Sequence, residues 1–331
     1  MNRAILIACG LLLPLLAGAQ GYSSPKKIVK LMGSRFEFTA VAENEATAWE
    51  AIRAGIAEVE RIERLISSWD SQSQTSAINR QAGIAPVKVD RELFDLIYRA
   101  KKVSKLTQGA FDISFASMER IWTFDGGEHA MPPAGRVAEA AALINWQDIE
   151  LDADKNTVFL RNPGMRIGFG AIGKGYAANR AKAVMSKVTG LKGGVVNAGG
   201  DLIAWGDSAQ PGGWTIQIAD PNDRDRALAW LQVNDLAVVT SGDYEKFAFI
   251  DGQRYAHIVD PRTGYPTTGT KSVTIVCPDA ELSDALATSV FVLGPENGMN
   301  LINQLQGVEC LIVDDHNEVL TSDHLQLNYY K

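Results

Sequence analysis

The spacing of hydrophobic and polar residues changes several times along this chain of 331 residues, and each spacing predicts an element. Residues 27–42 alternate apolar and polar side chains, which predicts a β-strand. From Asn44 the apolar residues recur every three or four positions, which predicts an amphipathic helix that ends near Trp69. A second stretch with this period predicts a helix from about Arg91 to Leu106.

Shorter apolar runs, separated by turn residues, fill the rest of the chain. The polar residues 68–80 predict a loop, and residues 157–169 predict a strand or a hairpin around Asn162-Pro163-Gly164. Residues 257–270 are rich in turn formers. The other predicted elements are helices at about 175–188 and 283–293, strands at 194–197, 214–219, 236–239 and 272–277, and a terminal hairpin within 310–322. Because strands and helices do not alternate regularly, we expect an α+β fold rather than a doubly wound parallel sheet.

The first nineteen residues have the composition of a secretory signal peptide. Arg3 precedes an apolar run from Ala4 to Leu16, and the small residues Ala17-Gly18-Ala19 stand before Gln20. The apolar run is short for a bilayer span, which argues against the alternative of an uncleaved membrane anchor. We therefore expect cleavage after residue 19, export to the periplasm, and one mature domain of residues 20–331.

Charge and cysteine content narrow the function classes. Without the predicted signal peptide the chain has 39 acidic and 31 basic residues, a net charge of −8. This acidic balance argues against nucleic acid or an anionic membrane surface as a partner. Two cysteines, Cys277 and Cys310, are too few for a disulfide framework, although a single bridge between them is left open.

The stretch RIGFGAIGKGYAANRA, residues 166–181, satisfies two nucleotide-binding patterns at once. It contains both G-x-G-x-x-G and G-x-x-x-x-G-K, each beginning at Gly168. A Rossmann unit would open a βαβ segment and place an acidic residue after the next strand, whereas this motif lies in mid-chain and is followed by VVNAGGDL. A P-loop needs Ser or Thr where this chain has Gly175. Neither named nucleotide-binding motif fits.

Both patterns share one physical feature that this chain does have, a glycine-rich turn followed by a predicted helix. A glycine-rich turn at a helix N-terminus exposes backbone N–H groups, and Lys174 adds a positive charge beside them, which suits a phosphate group. The alternative is a tight turn in which the glycines supply positive φ angles and Lys174 is only solvated.

Seven other stretches occur in a fixed order around this motif and carry a family resemblance. They are MGSRF (32–36), ISSWDSQSQTSAIN (66–79), GAFDIS (109–114), NAGGDLIAWG (197–206), VTSGDYEKF (239–247), HIVDPRTGYP (257–266) and SDALATSVFVLG (283–294). Together they resemble the ApbE-type flavin transferases, the FAD:protein FMN transferases, over about residues 30–295. The resemblance implies an α+β domain in which mixed, largely antiparallel sheets are flanked by helices, with two lobes around an FAD cleft.

The resemblance also implies an activity. Members of this family use FAD and a divalent cation, usually Mg²⁺, to transfer FMN through a phosphoester onto a threonine of a partner protein, and they release AMP. The implied partners are FAD and acceptor redox proteins, including membrane-bound electron-transfer complexes. Two alternatives stay open: an FAD pyrophosphatase that yields FMN and AMP, and a flavin-binding protein without turnover.

A metal site and a catalytic base are implied at specific residues. The metal ligands carried over from the family are Asp284, Thr288 and the backbone carbonyl of Ala171. Asp284 and Thr288 are four residues apart in a predicted helix, so they share a face, and both offer oxygen to a hard cation. The alternative for this pair is helix capping and packing. His257 resembles the general base that takes the threonine proton, so that His257 and Asp284 are the expected catalytic residues.

The implied FAD contacts are spread over the whole chain: Met32, Trp69, Ala110, Phe111, Asp112, Gly168, Lys174 and Ile258. Trp69 is interpreted as a stacking platform, with a core position as the alternative. Met32 and Phe111 fit either flavin contact or packing. The chain departs from the family pattern at two positions, where Gly168 and Asn179 stand in place of aspartates. The first change removes an acceptor for the flavin ring, and the second is expected to alter a local contact.

Overall fold

A computed structural model describes residues 22–118, 121–208, 212–244 and 246–329, so the predicted signal peptide lies outside the described residues. The helices within these ranges are α1 (Glu45–Ile66), α2 (Gln74–Arg80), α3 (Arg91–Leu106), α4 (Ala134–Ala141), α5 (Gly173–Met185) and α6 (Ala280–Ile302). Short 3₁₀ helices cover Ile113–Met118 and Trp146–Asp148.

The strands are numbered in chain order. They are β1 (Lys26–Leu31), β2 (Ser34–Ala42), β3 (Val87–Lys88), β4 (Glu128–His129), β5 (Ile149–Asp152), β6 (Thr157–Leu160), β7 (Leu191–Ala198), β8 (Asp201–Gly206), β9 (Trp214–Asp220), β10 (Asp223–Val233), β11 (Leu236–Gly242), β12 (Phe247–Ile250), β13 (Gln253–Ala256), β14 (Thr270–Cys277), β15 (Glu309–Asp314), β16 (Val319–Thr321) and β17 (Asn328–Tyr329).

One eight-stranded sheet forms the centre of the molecule, in the order β1-β2-β7-β8-β11-β14-β15-β16. Every neighbouring pair in it is antiparallel. The smaller sheets have the orders β17-β10-β9, β13-β12-β4 and β3-β6-β5. Helices and mostly antiparallel strands therefore make up the described residues, and the predicted α+β class is confirmed.

Alternation of side chains along the central strands builds a core on each face of the sheet. In β14, Val273, Ile275 and Cys277 face helix α6, whereas Val276 faces the core shared with β9 and β10. Helices α1, α5 and α6 cover the first face. The sheet is therefore buried between a helical layer and the β9–β10 hairpin.

Helix α1 forms where the apolar period predicts it. Its cap Asn44 accepts a hydrogen bond from the backbone N–H of Thr47 at 2.9 Å, which satisfies one of the donors left over at a helix start. Its buried face packs against β2 and α5. The helix ends at Ile66, three residues before the predicted end, and Trp69 lies in the loop beyond it.

The structure corrects several of the predictions and supports others. The single strand predicted over 27–42 is a hairpin of two strands, β1 and β2. The predicted loop at 68–80 contains α2, which is capped by the Ser73 hydroxyl. Of the strand or hairpin predicted at 157–169, the strand is present as β6, which pairs with β5 across the turn at 153–156 and not around Asn162-Pro163-Gly164. The terminal hairpin is formed by β15 and β16. The helix predicted at 283–293 is the first part of α6, which is interrupted at Gly294 (φ 78°) before Pro295.

Two further features bear on function. Cys277 and Cys310 are both buried and are not joined by a disulfide. None of the helices that the described residues form is both long and apolar enough to span a bilayer.

Candidate active site

A cavity of about 710 Å³ opens where the end of α1, the starts of α5 and α6, and the β1–β2 turn converge. Every site residue predicted from the sequence lines this cavity: Met32, Trp69, Ala110, Phe111, Asp112, Gly168, Ala171, Lys174, His257, Ile258, Asp284 and Thr288. The structure therefore brings together residues that are up to 256 positions apart in the sequence. The individual roles proposed for them stay predictions.

Asp284 is held at the inner wall of the cavity by the packing of α5 on α6. Helix α6 has its own cap, Asp279, whose side chain accepts from the N–H of Leu282. Asp284, one turn into α6, faces α5 instead, and its Oδ2 accepts from the backbone N–H of Gly175 at 3.0 Å. The side chain is only 3% exposed. The carboxylate thus meets the positive end of the α5 dipole.

A second buried carboxylate, Asp201, belongs to the same cluster. It is 1% exposed, and its Oδ2 accepts from Lys174 Nζ at 2.5 Å. Burial raises the pKa of Asp284, and the negative charge of Asp201 raises this pKa further. Lys174 and the Gly175 N–H act in the opposite direction. Asp201 lies within the motif NAGGDLIAWG but is not among the site residues predicted from the sequence; an acidic residue directly after two glycines at a strand start was the available signal.

The donor set of this cluster fits a hard divalent cation. Two adjacent buried carboxylates are balanced by one ammonium group, so a further positive charge is favoured there. Thr288 lies one turn beyond Asp284 on α6, and Ala171 lies in the turn before α5; both line the cavity. No cluster of three or more His, Cys, Asp and Glu side chains that could hold a metal occurs among the described residues, so a cation bound here would need hydroxyl, carbonyl or water oxygens as further ligands.

Gly173 and Gly175 serve close packing rather than positive φ. Gly168, Gly170, Gly173 and Gly175 all lie outside the left-handed region, which contradicts the tight-turn alternative. A Cβ added to Gly175 would lie 2.1 Å from the carbonyl oxygen of Ala280. The absence of side chains therefore lets the first turn of α5 approach α6 and reach Asp284.

Trp69 lies at the mouth of the cavity. Its side chain is 81% exposed, so the alternative of a core position is wrong. The loop that carries it is shaped by Ser67, whose Oγ accepts from the backbone N–H groups of Trp69 and Asp70. A large exposed aromatic face beside a cavity is available for stacking on a planar ring.

The other predicted flavin contacts differ in what they offer to a ligand. Met32 occupies the β1–β2 turn with φ of 50° and packs partly on the core. Ala110, Phe111 and Ile258 are buried and give the cavity an apolar wall. Asp112 is buried too, but its carboxylate accepts from the Ser114 N–H and hydroxyl and from the Trp146 N–H. Its charge is thus committed to holding the loop.

His257 lies at the cavity wall, where burial favours its neutral form. Its Nδ1 lies 3.1 Å from the carbonyl oxygen of Lys246, so Nδ1 carries the proton and donates to that oxygen. The other ring nitrogen, Nε2, then has a lone pair that can accept a proton. Burial lowers the pKa of His257 to about 4, and the charges of Lys246 and Lys174 act in the same direction.

The two departures from the family pattern have different consequences. Gly168 lines the cavity and donates its N–H to the carbonyl oxygen of Ile113 at 2.9 Å, which ties the glycine turn to a 3₁₀ helix. Asn179 lies on α5 and bridges to the start of α6: its Nδ2 donates to Asp279, and its Oδ1 accepts from the Ala280 N–H. An aspartate at position 179 lacks the N–H donor that this bridge uses.

Comparison with known proteins bears directly on this site. The model of the ApbE family matches residues 32–312, a span that contains every residue of the cavity described above. The chain belongs to the ApbE family. The family and the kind of enzyme expected from the sequence, a transferase, are thereby confirmed.

Curated relatives and solved structures agree with this assignment. The chain is 32% identical over 301 residues to an FAD:protein FMN transferase of Klebsiella pneumoniae (strain 342), which covers 90% of this chain and 92% of the relative. It is 35% identical over 266 residues to the FAD:protein FMN transferase of Treponema pallidum (strain Nichols), covering 76% and 73% of the two chains. The crystal structure of an ApbE protein from Thermotoga maritima matches with a TM-score of 0.84 and 29% identity, over 91% of this chain and 97% of the other.

The fold also matches that of the Pseudomonas stutzeri flavinyl transferase ApbE in its apo form. The TM-score is 0.80 at 24% identity, over 91% of this chain and 95% of that one. This likeness is one of fold.

Proposed function

We propose that this chain is an exported, Mg²⁺-dependent FAD:protein FMN transferase that attaches FMN to a threonine of an acceptor protein and releases AMP. The observation that carries the proposal is the content of the cavity. The buried carboxylate of Asp284, the ammonium group of Lys174, a neutral histidine and an exposed tryptophan all line one space. Its volume of about 710 Å³ lies in the usual range for cofactor pockets.

FAD has two planar ring systems joined by a pyrophosphate, and the cavity offers a distinct surface for each kind of group. The apolar wall and Trp69 suit planar rings. Lys174, which is half-buried at the start of α5, suits a phosphate oxygen. Mg²⁺ bound by Asp284, Thr288 and the Ala171 carbonyl would supply charge neutralisation at the pyrophosphate.

The reaction that follows is a substitution at phosphorus. The threonine oxygen of the acceptor forms a bond to the phosphorus of the FMN half, and the bond from that phosphorus to the bridging oxygen breaks, so that AMP leaves with this oxygen. The threonine proton moves to Nε2 of His257, which is neutral and has its other nitrogen engaged with Lys246. Positioning of the two reactants in one cavity supplies much of the rate.

Exposure of the cavity mouth fits a macromolecular acceptor. Trp69 and Lys246 both line the cavity and come from loops or strand ends at its edge. An acceptor segment that presents its threonine in an accessible turn can therefore reach His257. We place this acceptor among periplasmic or membrane-bound redox proteins, because the chain starts with a predicted export signal.

The proposal is tested by product analysis of the mature protein with FAD and Mg²⁺, with and without a threonine-containing acceptor domain from a respiratory flavoprotein. We expect AMP to appear in proportion to modified acceptor. AMP and free FMN formed at the same rate without acceptor would make the chain an FAD pyrophosphatase. FAD that stays bound and unconsumed with several acceptors would make it a flavin-binding protein without turnover.

A further inference from the structure

Lys174 does not stand alone at the cavity wall; a buried carboxylate anchors it. We propose that Asp201 is a positioning residue of this enzyme, which holds the Lys174 ammonium group at the place where the FAD pyrophosphate binds. The inference rests on the proposed function, since it concerns the same cavity and the same ligand. Lys174 lines the cavity, whereas Asp201 lies behind it and is absent from the lining, so Asp201 acts on the ligand through Lys174.

The position of Asp201 is fixed by a tight hairpin between β7 and β8. Ala198 and Asp201 pair directly across the turn, and Gly199 and Gly200 between them both have positive φ angles, 70° and 112°. Two positive φ angles are the geometry of a two-residue β-hairpin. The Asn197 side chain accepts from the Gly200 N–H at 2.9 Å and closes the turn. Asp201 is thus placed by backbone geometry as the first residue of β8.

Close contact with a neighbouring turn makes this placement rigid. A Cβ on Gly199 would lie 2.1 Å from the Ser34 Oγ, so the hairpin tip is pressed against the β1–β2 turn. Met32 and Ser34 of that turn line the cavity. The hairpin, the turn and α5 therefore meet at one edge of the cavity, with Asp201 between them.

The ion pair is asymmetric in its exposure. The Asp201 side chain is 2% exposed and the Lys174 side chain is 26% exposed, so a buried anion holds a cation that still faces the cavity. A lysine side chain has four rotatable bonds, and a fixed partner selects one orientation of its ammonium group. Asp201 also lies beside the Asp284 carboxylate, whose pKa its negative charge raises. Asp201 thus interacts both with the lysine and with the carboxylate proposed as a metal ligand.

The test is a double-mutant cycle on FAD affinity, measured by quenching of flavin fluorescence in Mg²⁺ and again in EDTA. Asp201→Asn keeps the size of the side chain and removes its charge, and Lys174→Gln removes the ammonium group. We expect each single variant to weaken FAD binding about tenfold, the effect of one charge-assisted hydrogen bond. If Asp201 acts through Lys174, the double variant is about tenfold weaker as well, rather than about a hundredfold.

Asp235→Asn is the matched control. Asp235 pairs with Lys182, which lies on the same helix α5 and has a side chain 25% exposed, but the pair is outside the cavity. This variant is expected to bind FAD like the native chain. Thermal melting is measured for all variants, and the double variant, which leaves no buried unpaired charge, is expected to melt above Lys174→Gln.

The outcomes separate this inference from the proposed function. Native-like FAD affinity in Asp201→Asn, or losses in the two single variants that multiply in the double variant, would overturn the positioning role and leave the proposed function standing. Failure of the native chain to bind FAD in either buffer would overturn both.

Discussion

Asp284 illustrates what a single residue can and cannot reveal from sequence. Its spacing to Thr288 indicated a shared helical face, and the family resemblance indicated a metal ligand. The sequence could not reveal that the carboxylate also receives the Gly175 N–H, or that Asp201 lies beside it, because both contacts depend on how distant elements pack. The alternative reading as a cap was correct in kind, but the helix it caps is α5 rather than α6.

Replacement of Asp284 by asparagine separates its structural contact from its charge. The asparagine carbonyl still accepts from Gly175, so the fold should be kept, whereas the charge that binds the cation is lost. We expect Mg²⁺-dependent AMP release to fall at least about 100-fold, on the scale of losing a key electrostatic group in an active site. AMP release titrated with Mg²⁺, together with a melting curve, checks this. Native-like activity at ordinary Mg²⁺ concentration would remove Asp284 from the metal site.

His257 gives a prediction about pH. Because its pKa is lowered to about 4, His257 is already neutral at pH 5, so at saturating Mg²⁺, which competes with protonation of Asp284, FMN transfer should stay constant from pH 8 down to about 5 before it falls. A histidine with an ordinary pKa near 6.5 would instead lose activity below pH 7. Single-turnover rates between pH 4 and 8 distinguish the two.

His257→Gln should reduce transfer about 100-fold while FAD affinity stays near native. Equal losses in transfer and in FAD affinity would make His257 a structural residue.

The lowered pKa of His257 also makes the stability of the folded protein depend on pH. The unfolded chain has a histidine pKa near 6.5 and binds a proton before the folded chain does, so His257 opposes folding as pH falls from about 6.5 towards 4. The folded protein therefore has its full stability with respect to this group above pH 6.5 and loses stability as the pH falls below it. Melting curves run beside the rate measurements therefore show where loss of activity is loss of fold.

At the scale of elements, periodicity predicted the long amphipathic helices and missed pieces whose signal is local or mixed. Helices α1 and α3 have clear apolar faces, and α3 has the predicted bounds. Helix α2 has only seven residues, mostly polar, and depends on the Ser73 cap. Strand β8 is an apolar run in which apolar and polar residues do not alternate, and β10 begins with the charged residues DRDR. Tertiary pairing with β9 and β11 decides both strands.

The approach of α5 to α6 can be tested at one glycine. Gly175→Ala places a Cβ 2.1 Å from the Ala280 carbonyl oxygen and 2.8 Å from the Asp284 Cβ, so the helices have to separate. We expect a loss of about 1–3 kcal/mol in the free energy of unfolding, typical of overpacking. Gly135→Ala is the control: it lies in the first turn of α4 with nothing within 4 Å of the new Cβ, and it should be neutral or stabilising. Equal stability of both variants would contradict the close approach, and denaturant unfolding measures it.

At the scale of the whole molecule, the family resemblance predicted more than composition or periodicity could. The acidic composition argued against nucleic-acid partners, and the order of predicted strands and helices indicated only the fold class. The order of eight motifs indicated the ApbE family. The structure brings the predicted site residues of these motifs to one cavity, although they lie between positions 32 and 288 of the chain. The precise neighbours, such as Asp201 with Lys174, could not be predicted because they arise from a hairpin, a helix start and a turn that meet only in the fold.

Export is a prediction about the whole chain as well. If residues 1–19 are a cleaved signal, the protein recovered from the periplasmic fraction of a bacterial host should begin at Gln20 and carry a net charge of −8. N-terminal sequencing of that fraction checks this. Retention of the full chain in the membrane fraction would indicate an anchor instead.

The measurement that tests the central claim most directly is the intact mass of an acceptor domain after incubation with the mature protein, FAD and Mg²⁺. We predict a gain of one FMN unit, which disappears in EDTA and when the acceptor threonine is replaced by valine. An acceptor mass that stays unchanged while AMP and free FMN accumulate would contradict transfer and identify hydrolysis as the reaction.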